Sequence, residues 1–205
     1  QVGLVEDVTT AMMERLRIEH ERDYDALTGL HNRRAFKRES EKIFSHPDKI
    51  GHAALVMMDL DNLKRTNDTF GHEWGDRYIH EAAVCFLRSI PEETLCARVS
   101  GDEFNILFYG YDSREAVQQA IDRLISGVEN SCFNLPDGTA TRIHVSGGIA
   151  WYPDDGTEMM ELIKCADYAM YGIKKSEKGR FGVFDRARYE RAEKKIKDRE
   201  TRQNG

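Results

Sequence analysis

The sequence predicts a mixed α/β domain, a central sheet covered by helices, and three observations carry that prediction. The run Ala53-Ala54-Leu55-Val56-Met57-Met58 is apolar without alternation and is bounded by Gly51 and Asp59, as in a central strand buried on both faces. Two short apolar runs, Leu95 to Val99 and Phe104 to Tyr109, flank Ser100-Gly101-Asp102-Glu103 and read as a hairpin whose tip carries two acids. Trp74, Tyr78, Ile79, Ala82, Ala83 and Phe86 recur at helical spacing and mark a long amphipathic helix that packs on such a sheet.

The remaining elements follow in order. Val5, Thr9, Met12 and Leu16 form a short heptad-like stripe in residues 1–23. It suits either a helix packed on its own domain or a two-stranded connector to an upstream sensor domain. Gly29 and Asn32-Arg33-Arg34 break that pattern, and a helix with Phe36, Ser40, Ile43 and Phe44 on one face ends before Pro47. After the buried strand comes a polar stretch broken at Gly71. Asp112 with Glu115 resembles a capping box opening a helix that carries Val117, Ile121, Leu124 and Val128. Pro136-Asp137-Gly138 is a turn. Ile143, Val145, Ile149 and Trp151 alternate as a strand, and Thr157 is placed to cap a helix built on Met159, Leu162, Ile163, Ala166, Met170 and Ile173. From Arg186 the chain is almost wholly charged, a tail or linker helix over 186–205.

Composition excludes several classes. A chain of 205 residues suits one domain, and a net charge of −6 argues against wholesale binding to nucleic acid or an anionic membrane. No apolar run approaches the length that spans a bilayer, and there is no signal peptide. The four cysteines, Cys85, Cys96, Cys132 and Cys165, stand singly among apolar neighbours and read as reduced core residues of a cytoplasmic protein. The pattern begins within a helix at Gln1, as expected of a piece of a longer parent, one that membrane anchoring would suit.

Position singles out the acids. Asp59 and Asp61 stand where a buried strand ends, and Asp102 and Glu103 stand at a hairpin tip; ligands of open α/β sheets gather at the ends of central strands. Carboxylate and carbonyl oxygens suit a hard cation such as Mg²⁺ or Mn²⁺.

Asp59-Leu60-Asp61-Asn62-Leu63-Lys64, with Asn67-Asp68, Gly71-His72 and Gly75-Asp76 behind it, resembles the D-x-D-x-F-K-x-x-N-D-x-x-G-H-x-x-G-D signature of GGDEF domains. Ser100-Gly101-Asp102-Glu103-Phe104 resembles the namesake motif. Asp25 to Arg34, Ser146-Gly147-Gly148-Ile149-Ala150, and Ala166 to Tyr171 with Lys174 extend the likeness over residues 24–185 in the expected order.

The resemblance implies a palm-like or ferredoxin-like fold, with a mainly antiparallel sheet of about five strands among helices. It implies a diguanylate cyclase that joins two GTP into cyclic di-GMP, with two metal ions per site and a homodimer for turnover. Asp59, Asp102, Glu103 and the Leu60 carbonyl would hold metal. Glu103 would assist there or activate the attacking hydroxyl. Asn67 and Asp76 would read guanine, whose N1–H and N2–H donors suit a carboxylate. Lys64 and Lys174 would reach the phosphates, with Lys178 where the family commonly has Arg, and Ser100 and Gly101 would lie close to the nucleotide. The other reading is a GTP-binding regulatory module that has lost turnover.

Some positions depart from the family. Ser100 replaces the first motif glycine, Leu63 a Phe, and Glu177 a glycine. Pro91 and Thr94 occupy the Arg and Asp positions of the family's R-x-x-D inhibitory product site, so that site is expected to be missing.

Overall fold

The computed structural model describes residues 10, 12, 13, 17, 21–176 and 178–203. Of the N-terminal stripe, Val5, Thr9 and Leu16 lie outside the described residues. Met12 is exposed.

The strands are β1 (His31–Asn32), β2 (His52–Leu60), β3 (Leu95–Ser100), β4 (Glu103–Tyr111), β5 (Phe133–Asn134), β6 (Ala140–Thr141), β7 (Val145–Tyr152) and β8 (Phe181–Val183). The helices are α1 (Arg33–Phe44), α2 (Pro47–Ile50), α3 (Leu63–Phe70), α4 (His72–Ser89), α5 (Arg114–Glu129), α6 (Met159–Ser176) and α7 (Arg186–Gln203).

One sheet runs in the order β1-β3-β4-β2-β7-β8, and β5 and β6 form a separate pair. Its inner pairs β3–β4, β4–β2 and β2–β7 are antiparallel, while the short edge pieces β1 and β8 join in parallel. The mainly antiparallel sheet expected from sequence is present, with six strands where about five were expected. Pieces of two or three residues are too short to show alternation.

β2 explains its own composition. Ala54, Val56, Met58 and Leu60 enter one core with Tyr78, Ile79, Phe86, Phe104, Ile121 and Leu124, while Leu55 enters another with Phe36, Leu107, Ala150, Leu162 and Ala166. A strand covered on both faces cannot alternate apolar with polar. β7 is buried in the same way from Val145 to Trp151, so its apparent alternation is not a solvent face.

Three local expectations are corrected. The stretch after β2 is the helix α3, which buries only Thr66 and so carries a weak apolar signal. α5 is capped by Ser113, whose hydroxyl accepts from Ala116 N at 3.1 Å, rather than by Asp112. Ahead of α6 it is Glu161 that reaches back, its carboxylate accepting from the backbone N–H groups of Thr157 and Glu158.

The cysteines also divide. Cys96 is buried, its thiol pushed up to about 12, whereas Cys132 is exposed and Cys85 and Cys165 are half-buried. The charged tail from Arg186 forms α7, whose Tyr189 packs edge-on against Tyr168 and beside Phe184. Among the described residues no helix is long and apolar enough to cross a membrane.

Candidate active site

β2 ends in the middle of the sheet, and that places Asp59 between two strands. It lies opposite Glu103 of β4 on one side and Ser146 of β7 on the other. Residues opposed in an antiparallel pair project from one face with Cβ atoms about 5 Å apart, so Asp59 and Glu103 are side-chain neighbours. The β3–β4 turn brings Asp102 beside them, where its carbonyl accepts from Leu60 N at 3.0 Å.

The same face is covered by α6. Lys174 near its end sets Nζ 2.6 Å from Asp59 Oδ2. Burial raises the Asp59 carboxyl above its ordinary range, the charges of Asp102 and Asp61 push the same way, and the bond from Lys174 opposes them. The approach of α6 depends on Gly148, where any Cβ would overlap the backbone of Ala166 and Met170.

Asp61 has a different task from Asp59. Its Oδ2 accepts from Ser146 Oγ at 2.7 Å and from Gly179 N at 3.1 Å. Its own N–H donates to the His144 carbonyl at 2.9 Å, and its carbonyl accepts from the Tyr78 hydroxyl at 3.3 Å. With those bonds Asp61 locks the end of β2 to β7 and to the segment after α6, rather than standing open for metal as sequence position alone suggested.

Beyond Asp61 the chain turns through Asn62, which has φ 68°, the only positive value among the described non-glycine residues. α3 and α4 then meet at Gly71, φ 88°. The Asn67 amide lies in the space that a Cβ on Gly75 would fill, so a glycine is required there for the amide to keep its place. Asp76 is exposed one residue further on. Lys64, on the first turn of α3, and Lys178, beyond α6, are also exposed, with no acid partner among the described residues.

The backbone accommodates Ser100 in place of the motif glycine. This serine closes β3 at an ordinary φ and pairs with Glu103, so the conformational freedom of a glycine is not needed. Gly101 supplies the turn. The hairpin tip is braced by Arg98, whose Nε donates to Gly101 O at 2.9 Å and whose Nη1 lies 3.1 Å from Asp25 Oδ1. Asp25 in turn accepts from Thr28 N and Thr28 Oγ1.

The structure thus gathers Asp59, Leu60, Asp102, Glu103 and Lys174 at one strand end, while Asn67 and Asp76 sit at the α3–α4 corner that starts three residues on. Sequence reasoning missed the supporting bonds of Ser146, Tyr78, Arg98 and Gly179. The Ser146-Gly147-Gly148 segment was visible, but only contact with α6 and Asp61 gives it a role.

A family model described as the diguanylate cyclase GGDEF domain matches residues 22–180. The chain belongs to the GGDEF family. The isolated GGDEF domain of TpbB (YfiN) from Pseudomonas aeruginosa superposes with TM-score 0.71 at 29% identity, covering 79% of this chain and 94% of that one. The coiled coil and GGDEF domain of DgcB from Caulobacter crescentus, solved with cyclic di-GMP, gives TM-score 0.72 at 25% identity, covering 89% and 98%. An uncharacterised membrane protein of Staphylococcus aureus USA300 is 32% identical over 153 residues, 74% of this chain and 43% of that protein. This GGDEF chain therefore spans less than half the length of the curated relatives it matches.

Proposed function

We propose that this GGDEF domain is a diguanylate cyclase, condensing two GTP into cyclic di-GMP with release of two pyrophosphates. The observation that carries the reading is the placement of Asp59, Asp102 and Glu103 at one strand end, beside a guanine-compatible Asn67–Asp76 corner. In each half-reaction a 3′-oxygen attacks the α-phosphorus of the other nucleotide, a P–O bond forms, and the bond to pyrophosphate breaks. Two sites must face each other for this, which calls for a homodimer.

The donors at the strand end are all hard oxygens, which fits Mg²⁺ or Mn²⁺. Among the described residues no three His, Cys, Asp or Glu side chains converge on one point. That suits ions held by one or two carboxylates together with substrate phosphates rather than by a protein cage. Asp59, the Leu60 carbonyl, Asp102 and Glu103 would hold two such ions, which would supply positive charge to the triphosphate. Lys174 neutralises Asp59 until then and is free to turn to phosphate. Lys64 and Lys178, without an acid partner among the described residues, add charge for the same tetra-anion. Asp76 accepts from guanine's donor pair, and Glu103, adjacent to Asp59, is placed to take the proton of the attacking hydroxyl.

The curated relatives are named as membrane proteins, which supports a longer, membrane-anchored parent; an upstream sensor domain and a cytoplasmic side with access to GTP complete the reading.

Incubation with GTP and MgCl₂, followed by anion-exchange separation and mass identification of the product, tests the reading. Cyclic di-GMP that disappears in Asp59→Asn is expected. GTP returned unchanged from concentrated, dimeric protein would overturn it.

A further inference from the structure

On the side of α3 away from Asn67, two cavities of about 440 and 250 Å³ share Arg142 and His144. Arg65 lines the smaller one. Arg65 and Arg142 have no acid partner among the described residues, in a protein whose net charge is −6. Burial holds His144 below its ordinary range, the charge of Arg142 lowers it further, Asp61 opposes, and Arg65 lowers it again. Arg65, Arg142, Arg180 and His144 thus line the two joined cavities, with Glu129 the acid in the lining of the larger one. Asp61 offsets them only in part, and its carboxylate is held by Ser146 and Gly179 rather than paired with either arginine.

Apolar side chains flank these groups in both cavities. Ile125, Val128 and Phe181 line the larger cavity; Phe70 and Leu135 line the smaller. A cationic divide between apolar walls fits a dianion carrying an apolar or aromatic body better than a bare ion. Guanidinium groups pair with phosphate oxygens in parallel, and ligand sites of this kind are largely apolar with a few convergent polar groups.

We propose that this cleft is a second ligand site, for a small phosphate monoester with an aromatic body, separate from the nucleotide site at the end of β2. The two are mechanically joined. The His144 N–H donates to the Tyr78 hydroxyl at 2.8 Å, that hydroxyl donates to the Asp61 carbonyl, and Gly179 in the cleft wall donates to the Asp61 carboxylate. Asp61 lies two residues from Asp59, and Gly179 lies next to Lys178. An anion drawing on Arg142 and His144 pulls on the strand end that sets both.

The test is chemical-shift mapping of ¹⁵N-labelled protein without divalent metal, titrated with inorganic phosphate and, separately, with adenosine monophosphate at matched ionic strength. Adenine lacks the donor pair that Asp76 would accept from, which keeps the nucleotide site out of the measurement. Saturable shifts at the amides of Arg65, Arg142, His144 and Gly179 are expected, extending to Asp61, with half-saturation by the monophosphate at a lower concentration than by phosphate. Arg65→Gln with Arg142→Gln should weaken binding at least tenfold while the remaining spectrum stays folded. Shifts that rise linearly, centre on Lys64 and Lys174, or survive the double substitution would overturn the site. Equal half-saturation by the two probes would overturn the role of its apolar walls.

Discussion

Lys174 Nζ and Asp59 Oδ2 are 2.6 Å apart, an ion pair between the end of α6 and the end of β2. The contact opposes the protonation that burial and two neighbouring acids favour at a partly buried carboxylate. Replacing Lys174 with Met should therefore lower cyclic di-GMP formation about 100-fold, the scale for losing one group that stabilises developing charge. The stability change should stay under about 1 kcal/mol because Lys174 is one-third exposed. Pyrophosphate release and a thermal melt read the two quantities separately. A melt that falls with activity intact would assign the pair to folding alone.

Gly148→Ala places a methyl against the backbone of Ala166 and Met170. Backbone cannot rotate aside as a side chain does, so α6 must shift outward. A loss of about 1–3 kcal/mol is expected, as for overpacking in other cores. Activity should fall further than stability alone explains, since Lys174 leaves Asp59. Urea denaturation alongside turnover on the folded fraction checks this; unchanged turnover would mean that the helix position is not what aligns the lysine.

The α3–α4 corner offers a test of base recognition. Gly75→Ala fills the space of the Asn67 amide, and loss of one amide contact should raise KM for GTP about tenfold with little change in the melting temperature. Asp76→Ser should instead relax the choice between GTP and ATP, because no carboxylate remains for guanine's donors. Equal use of ATP and GTP by the unaltered protein would contradict the assignment.

Asp25 gives the protein an acid-sensitive brace. Burial tends to raise its carboxyl, but bonds from Thr28 and Arg98 outweigh that and leave it depressed. A depressed folded value means that this contribution to stability is present above the unfolded value, near 4, and is lost as pH falls through the folded one. Urea unfolding from pH 6 to pH 3 should steepen in the acid limb, and Asp25→Asn should flatten it. An identical acid limb in the variant would remove Asp25 as its source.

Product feedback should be missing at the turn of Pro91 to Thr94. Pro91 and Glu92 are exposed there, Thr94 N bonds back to Pro91 O at 3.1 Å, and neither end carries the charge that grips a guanine or phosphate. Calorimetric titration of cyclic di-GMP against protein saturated with a non-hydrolysable GTP should give no heat assignable to that turn. Tight binding abolished by changing residues 92–94 would be the contrary result.

Much of this is legible in the sequence. β2, α4 and α6 are long or apolar enough for their periodicity to register, and Asp59, Asp102 and Glu103 stand out by where those elements end. α3 was hidden because it buries only Thr66 and its apolar residues are few. The roles of Asp61 and Arg98 were hidden for another reason: each depends on a partner far along the chain, Gly179 in one case and Asp25 in the other. No local pattern encodes such a pairing.

The flush seating of α6 on Gly148 has a consequence for how the chain can drift in length. With no side chain between helix and strand, Ala166 is the fixed point, and Lys174 lies eight residues beyond it, a little over two turns. Adding or deleting one residue in that interval would swing the lysine by about 100° around the helix and away from the strand end. The loop of Pro153 to Gly156, on the other side of the fixed point, is tied down by Trp151, Cys165 and Arg186 but does not set the angle of the lysine. Changes of length should be purged between Ala166 and Lys174, and one in the loop would leave the angle of the lysine unchanged.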